Sequence, residues 1–350
     1  MCESLHEQAL SLVGTGQNMA TKLSVLDLSP IPQGSTPGEA LNNSLDLAQH
    51  AESLGYHRYW VAEHHSMRGI ASAATSVVIG YLAAGTSTIR VGAGGIMLPN
   101  HSPLVIAEQF GTLASLYPDR IDLGLGRAPG TDQVTSQALR RTLNGSSDDF
   151  PRDVVELQQY FKPADKHQRV IAVPGEGTNV PLWILGSSLF GAQLAAMLGL
   201  PFAFASHFAP QQMMQALEIY RDRFKPSAQL KQPYVMLGFN ICAADTVEEA
   251  QYLRSSSLQS FLNLRKGTPG QLPPPVANFE ESMAPQDRAV LAQIGSCSAV
   301  GTIVEVEQGM AEFIRQTDAD ELMLVSSIFD HQKRKYAFDV AAKAGQQFAS

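Results

Sequence analysis

A glutamate and two histidines stand side by side at Glu63-His64-His65, directly after the apolar run Arg58–Ala62. An imidazole titrates near neutral pH, so a histidine here could act as a base or proton shuttle. Successive residues of an extended chain point to opposite sides, so His64 and His65 cannot both face one pocket. A structural histidine at the rim of a sheet is the competing reading for each. Metal ligation would need a third ligand at suitable spacing. His101, His207 and His331 are conceivable, but none makes a regular metal-binding pattern, and no metal is expected.

A second group of residues suits an anion. Gly186-Ser187-Ser188 joins an apolar run to a helical pattern that starts near Leu189. A helix N-terminus offers free N–H groups and the positive end of the dipole. Serines there can cap the helix or bond a phosphate, and Arg127 ends the preceding apolar run. Together they read as a phosphate grip; a plain serine cap with a surface arginine is the alternative. Gly94-Gly95 lies inside a run that otherwise reads as a strong strand. Glycine there marks either a close approach of backbone to a ligand, such as a flat ring, or a corner with no room for side chains.

Other chemistries lack their motifs. Gly124-Leu125-Gly126 continues into Arg127-Ala128-Pro129-Gly130, and Pro129 spoils a dinucleotide fingerprint. No P-loop, G-x-S-x-G elbow or H-E-x-x-H occurs.

The elements that must position these residues alternate between two periods. Eight short apolar runs read as buried strands: Leu23–Leu28, Arg58–Ala62, Ile89–Ile96, Arg120–Leu125, Pro181–Leu185, Pro201–Ala205, Tyr234–Ile241 and Glu321–Val325. Most are continuous in apolar residues, which suits parallel strands covered on both faces. Helical patterns lie between them, among them Pro37–Leu54, Thr75–Ala84 and Pro103–Leu116. This alternation predicts right-handed βαβ units. Eight strands favour a closed (β/α)8 barrel, with a doubly wound open sheet as the alternative. In such a barrel the polar residues after each strand gather at one mouth. They include Asp27, Ser29, Asn100, His101, Ser206, His207, Asn240, Asp330 and His331. Long insertions follow strand four (Ala128–Val180, with one helix at Phe150–Phe161) and strand seven (Lys266–Ser298). Such loops usually cover or line a site.

The chain has 350 residues, 44% hydrophobic and 17% charged, with net charge −8. That composition fills a large core and argues against a nucleic-acid or anionic-membrane partner. Its three cysteines (Cys2, Cys242, Cys297) are scattered, as expected for a reducing cytoplasm. No apolar run is long enough to cross a bilayer. Residues 1–20 lack a basic n-region and regular patterning, so a poorly ordered tail is expected before a single barrel domain at 21–350.

Five stretches in order carry a family resemblance: Trp60–His65 (WVAEHH), Val91–Pro99 (VGAGGIMLP), Asn100–Pro103, Arg120–Arg127 (RIDLGLGR) and Leu185–Ser188 (LGSS). Together they resemble the bacterial luciferase-like flavin-dependent monooxygenases, over about Leu23 to Phe338. The resemblance implies a TIM barrel with reduced FMN at its mouth. It implies a non-proline cis peptide at Gly94-Gly95 under the flavin, and a phosphate held by Arg127, Ser187 and Ser188 beside Gly186. It makes His64 the catalytic histidine with Glu63 as its neighbouring acid. It also implies a homodimer through Thr75–Ala84 and Pro103–Leu116, and a separate NAD(P)H:flavin reductase as partner. Gly186 departs from the glutamate of the luciferase α subunit. The reactive cysteine near the luciferase flavin has no clear counterpart, so light emission is not implied. The expected activity is oxidation of a small organic molecule by FMNH2 and O2. F420-dependent hydride transfer and a flavin carrier without turnover are the rivals.

Overall fold

Residues along each barrel strand alternate between two apolar environments, which is why the strand sequences are continuous rather than striped. Val25, Tyr59, Val61, Ile184, Phe204 and Leu324 face the helices. Leu26, Trp60, Ala62, Trp183, Ala203, Met236, Met323 and Val325 form a separate cluster in the barrel lumen. The computed structural model describes residues 20–128, 133–139 and 147–348; Cys2, the rest of the expected tail at 1–19, and Pro129-Gly130 lie outside the described residues.

In chain order the elements are β1 (Lys22–Asp27), α1 (Pro37–Ser53), β2 (Arg58–Val61), α2 (Thr75–Ala84), β3 (Arg90–Met97), α3 (Pro103–Leu116), β4 (Ile121–Gly126), α4 (Gln133–Leu139), α5 (Phe150–Phe161), β5 (Leu182–Gly186), α6 (Leu189–Leu198), β6 (Phe202–Phe204), α7 (Met213–Arg223), β7 (Val235–Ala243), α8 (Val247–Arg265), α9 (Phe279–Ser282), α10 (Pro285–Gly295), β8 (Ser298–Gly301), α11 (Ile303–Thr317), β9 (Glu321–Val325) and α12 (His331–Gly345). Strands β1 to β6 pair in sequence, β6 pairs β7, β7 pairs β9, and β9 returns to β1. All these pairings are parallel, so eight strands close into a (β/α)8 TIM barrel and the open-sheet alternative falls. The eight expected strands are the eight barrel strands. The ninth, β8, was not expected. It pairs with Asn240–Ala243 at the C-terminal end of β7, and its sequence, SAVG, is too short for a periodic signal.

Helix starts follow local chemistry. Thr36 accepts the N–H of Glu39 while the Glu39 carboxylate accepts the N–H of Thr36, with Pro37 in the first turn. Thr302 and Glu305 form the same box at α11. No helix among the described residues is long and apolar enough to cross a membrane.

Charged residues at the N-terminal ends of the strands close the floor of the lumen. Arg58 opens β2; its Nη1 meets Asp122 Oδ2 at 2.6 Å and its Nε meets Glu321 Oε1 at 2.7 Å. Arg90 pairs with the other Asp122 oxygen at 2.6 Å, and Tyr234 donates to Glu321 Oε2 at 2.8 Å. Ser24 also donates to Glu321. The Arg58 guanidinium lies 4.7 Å from the Trp183 ring centroid, a cation–π contact.

The insertion after β7 forms a strap across the opposite, C-terminal end. Leu272 N–H donates to Ile31 O at 2.9 Å, and Gln33 N–H donates to Leu272 O at 2.8 Å. A Cβ on Gly69 would stand 2.1 Å from the Gly270 carbonyl oxygen, so glycine is required for this approach. The strap is held to α8 by Val276 N–H on Ser255 Oγ at 2.7 Å and by Gln259 Nε2 on Pro274 O at 3.0 Å. Its outer part packs Met283 and Leu291 against Leu258 and Leu262 of α8.

The floor has a stability consequence. Arg58→Met strips both Asp122 and Glu321 of a buried partner, and such losses cost about 3–5 kcal/mol. Urea unfolding of Arg58→Met should show a loss of that size, partly recovered by adding Glu321→Gln. A loss below about 1 kcal/mol would mean that Arg90 and the hydroxyls suffice to satisfy the floor.

Candidate active site at the barrel mouth

Strand β2 ends at Val61, so Glu63, His64 and His65 lie on the loop that leaves it. The Glu63 carboxylate is buried and fully engaged. Its Oε1 meets His65 Nε2 at 2.6 Å and His101 Nε2 at 2.8 Å, and its Oε2 accepts the Met97 N–H at 2.9 Å. Burial works against its charge, but the bonds from His101, His65 and Met97 outweigh it and hold the carboxyl below its ordinary range. Glu63 thus ties the β2 loop to the end of β3. His65 and His101 share this carboxylate. The three ligand atoms lie within 4.8 Å of one another, a spacing that could hold a metal ion. Each is already used in a hydrogen bond of the brace.

His64 is half-buried at the mouth. It is close enough to His207, just after β6, for their charges to interact. β2 and β6 lie on opposite sides of the eight-strand ring, so the two histidines leave opposite walls of the barrel. His207 Nδ1 is covered and lacks a hydrogen-bond partner. It sits where a Cβ on Gly238 would be, 2.0 Å from that position, so the ring lies directly on the β7 backbone. Asn240 Nδ2 donates to the His207 carbonyl at 2.8 Å. Burial and then the His64 charge push the His207 imidazole down to about 4.

The Gly94-Gly95 peptide bond is cis, as the resemblance implies. The β3–β4 register shifts between Ala93 and Ile96, so the pair sits at an irregularity of the strand. A Cβ on Gly95 would lie 2.6 Å from Gly124 O, and one on Gly94 2.8 Å from Leu26 Cδ1. The crowding that demands glycine here comes from the protein's own atoms. Gly94 is nonetheless half-open, unlike buried Gly95.

Ser188 is the N-cap residue of α6, with φ −143° and ψ 167°, but its side chain makes no capping bond. The first-turn N–H groups therefore face outward without a side-chain acceptor. The Arg127 guanidinium rests 4.2 Å from the ring centroid of Phe190, in that same first turn. Ser187 is exposed and Gly186 has no protein atom closer than 3.7 Å to where a Cβ would be. Among the described residues no carboxylate pairs with Arg127. A helix N-terminus, two free hydroxyls and a guanidinium form a donor set that fits a phosphate monoester.

Several polar residues expected at the mouth lie elsewhere. Asp27 turns toward the helices, accepting from Tyr59 OH at 2.6 Å, Ser44 Oγ at 2.5 Å, Ser29 N–H at 2.8 Å and Arg334 at 2.7 Å. Burial opposes its charge, yet Arg334 and these donors hold its pKa below the ordinary value. His331 pairs with Asp46 of α1 at 2.7 Å, away from the other histidines. The bracing role of His101, the Gly238 seat and the Phe190 platform were not anticipated. A lone glycine within the β7 run was the one signal in the sequence for the seat.

The family model for luciferase-like monooxygenases matches residues 21–321. A "luciferase-like monooxygenase" of Escherichia coli (strain K12) is 58% identical over 318 residues, covering 91% of this chain and 95% of that protein. The N-acetyl-S-alkylcysteine monooxygenase of Bacillus subtilis (strain 168) is 36% identical over 236 residues, covering 66% of this chain and 70% of that protein. Among solved structures, apo-MsnO8 superimposes with TM-score 0.82 at 36% identity, covering 93% of this chain and 98% of that one. The fold alone is shared with two more distant structures. One is the oxygenating constituent of 3,6-diketocamphane monooxygenase from Pseudomonas putida in complex with FMN, with TM-score 0.70 at 16% identity over 93% and 97% of the chains. The other is an F420-dependent secondary alcohol dehydrogenase, with TM-score 0.64 at 15% identity over 94% and 100%. With its barrel closed, its mouth braced by Glu63 and its sequence matched over most of its length, this chain belongs to the luciferase-like monooxygenase family.

Proposed function

We propose that this protein is the oxygenating component of a two-component system: it binds reduced FMN from a separate NAD(P)H:flavin reductase and uses O2 to oxidise a small organic substrate. The observation that carries this reading is the first turn of α6, which has no side-chain cap, with Arg127 held over Phe190, at the same end of the barrel as the loop that bears His64. Arg127, Ser187 and Ser188 would hold the phosphate, and the half-open Gly94 would lie beneath the ring. When bound there, FMNH2 supplies the electrons that activate O2. The N-acetyl-S-alkylcysteine acted on by the Bacillus relative defines a first substrate panel for this chain.

The protein's own residues handle protons and water. His64 accepts or donates a proton at the mouth. Glu63 acts through the loop: its bonds to His65, His101 and Met97 fix the path on which His64 stands. The strap over the β1 and β2 loops limits the access of water to the site. A second copy of the chain would pack against α2 and α3, where Val77, Tyr81, Val105 and Leu116 are exposed.

Anaerobic titration with FMNH2 tests the cofactor. Arg127→Ala should weaken FMNH2 binding about tenfold or more and leave riboflavin binding unchanged, because one charge-assisted phosphate contact is lost. Equal weakening of both would remove Arg127 from the phosphate site, and tighter binding of F420 than of FMNH2 would replace the cofactor. His64→Ala should leave FMNH2 affinity within about twofold and cut product yield at least ~100-fold, the usual range for a lost acid–base group. Parallel loss of affinity would make His64 a binding residue instead.

His207 gives a pH test. Its folded-state value of about 4 lies below the ordinary 6.5, so the unfolded chain takes up this proton first. Its contribution to stability is whole above pH 6.5 and is lost as pH falls toward 4. Denaturant melts across that interval should show a shallower decline for His207→Gln than for the wild type. Parallel curves would show that the ring readily protonates in the folded state.

A further inference from the structure

Arg68, Gln33 and Gln271 line an open cavity of about 550 Å³ at the C-terminal end of the barrel. They come from the loops after β1 and β2 and from the strap. Arg68 follows His64 by four residues on the same loop. Among the described residues no carboxylate lies within ion-pair distance of Arg68.

The backbone around the cavity is tied together, so the three side chains converge by construction. Ile31 N–H donates to Gly69 O at 2.9 Å, Leu272 N–H to Ile31 O at 2.9 Å and Gln33 N–H to Leu272 O at 2.8 Å. The Gly69–Gly270 approach sets the position of the residues flanking each, Arg68 and Gln271. Gln271 Nε2 is anchored on Ser35 O at 3.2 Å.

Barrel order separates this cavity from the phosphate grip. Arg127 and α6 belong to β4 and β5, whereas the cavity belongs to β1, β2 and the strap on the far wall. A cation here is therefore spare: the anion of the proposed cofactor has its own donors. One planar guanidinium flanked by two amides matches a carboxylate, which takes two parallel N–H bonds and accepts further donors on its remaining lone pairs.

We infer that Arg68, with Gln33 and Gln271, forms a subsite for the carboxylate of the organic substrate, so that the preferred substrates are small organic acids. This deepens the monooxygenase reading and rests on it for the word substrate, but the subsite itself can be tested without turnover.

Isothermal titration of N-acetyl-S-methylcysteine and of its primary amide into the full chain, wild type and Arg68→Gln, isolates the carboxylate. Arg68 is exposed, so the variant should fold. The wild type should bind the acid about tenfold or more tightly than the amide, as a charge-assisted pair implies. Arg68→Gln should erase that preference and Arg68→Lys should keep part of it. Equal binding of acid and amide by the wild type, no binding of the acid, or a preference that survives in Arg68→Gln would each overturn the inference. FMNH2 titration of the same samples separates the two readings. A wild type that prefers the acid but does not bind FMNH2 keeps the subsite and loses the flavoenzyme. One that binds FMNH2 without preferring the acid does the reverse.

Discussion

The barrel depends on one arginine standing where a core residue would otherwise be. Arg58 enters the lumen from the first position of β2, and its charge is matched by Asp122 of β4 and Glu321 of β9. Three strands that are not neighbours are thereby joined across the interior. Burial works against the guanidinium, but the two carboxylates raise its pKa above the ordinary value. With Arg90, two cations face two anions, so the floor is neutral as a whole. Trp60 and Trp183 pack edge to face above it, with ring centroids 5.2 Å apart. The bottom of the barrel is thus sealed by charge and aromatic bulk.

The mouth is then shaped by a second carboxylate used in the same manner. Loops leaving parallel strands have no ladder bonds of their own, so they need side-chain braces. Glu63 braces the β2 loop against β3, and Asp27 braces β1 against α1 and α12 through Ser44 and Arg334. The two differ in what they leave exposed. Asp27 spends all its bonds behind the barrel wall. Glu63 spends its bonds on His65, His101 and Met97, at the mouth, and so fixes the loop that carries His64.

Legibility in the sequence followed the range of the interactions involved. The eight barrel strands and helices such as Pro103–Leu116 and Phe150–Phe161 could be read because apolar runs and first-turn prolines are local signals. β8 could not, because four residues carry no period and its pairing depends on the far end of β7. The serine pair before a helix was visible in the sequence, but Phe190 as the support for Arg127 required the fold. Polar residues at strand ends were ambiguous for a simple reason. Whether such a residue faces the mouth or the helices depends on one step of alternation, and Asp27 and Ser29 went the other way. The pairing of His65 with His101 through Glu63 joins residues 38 apart for the glutamate and His101, beyond any spacing rule.

The glycines show how far sequence chemistry constrains the site without naming its ligand. Gly95 and Gly238 are both required, yet neither requirement comes from a bound molecule. One spares the Gly124 carbonyl, and the other seats the His207 ring. A ring resting on bare backbone cannot hydrogen-bond through its covered nitrogen, and burial together with the His64 charge pushes its pKa down to about 4. The mouth therefore sets the Glu63-braced loop that carries His64 against a wall formed by the His207 ring seated on β7.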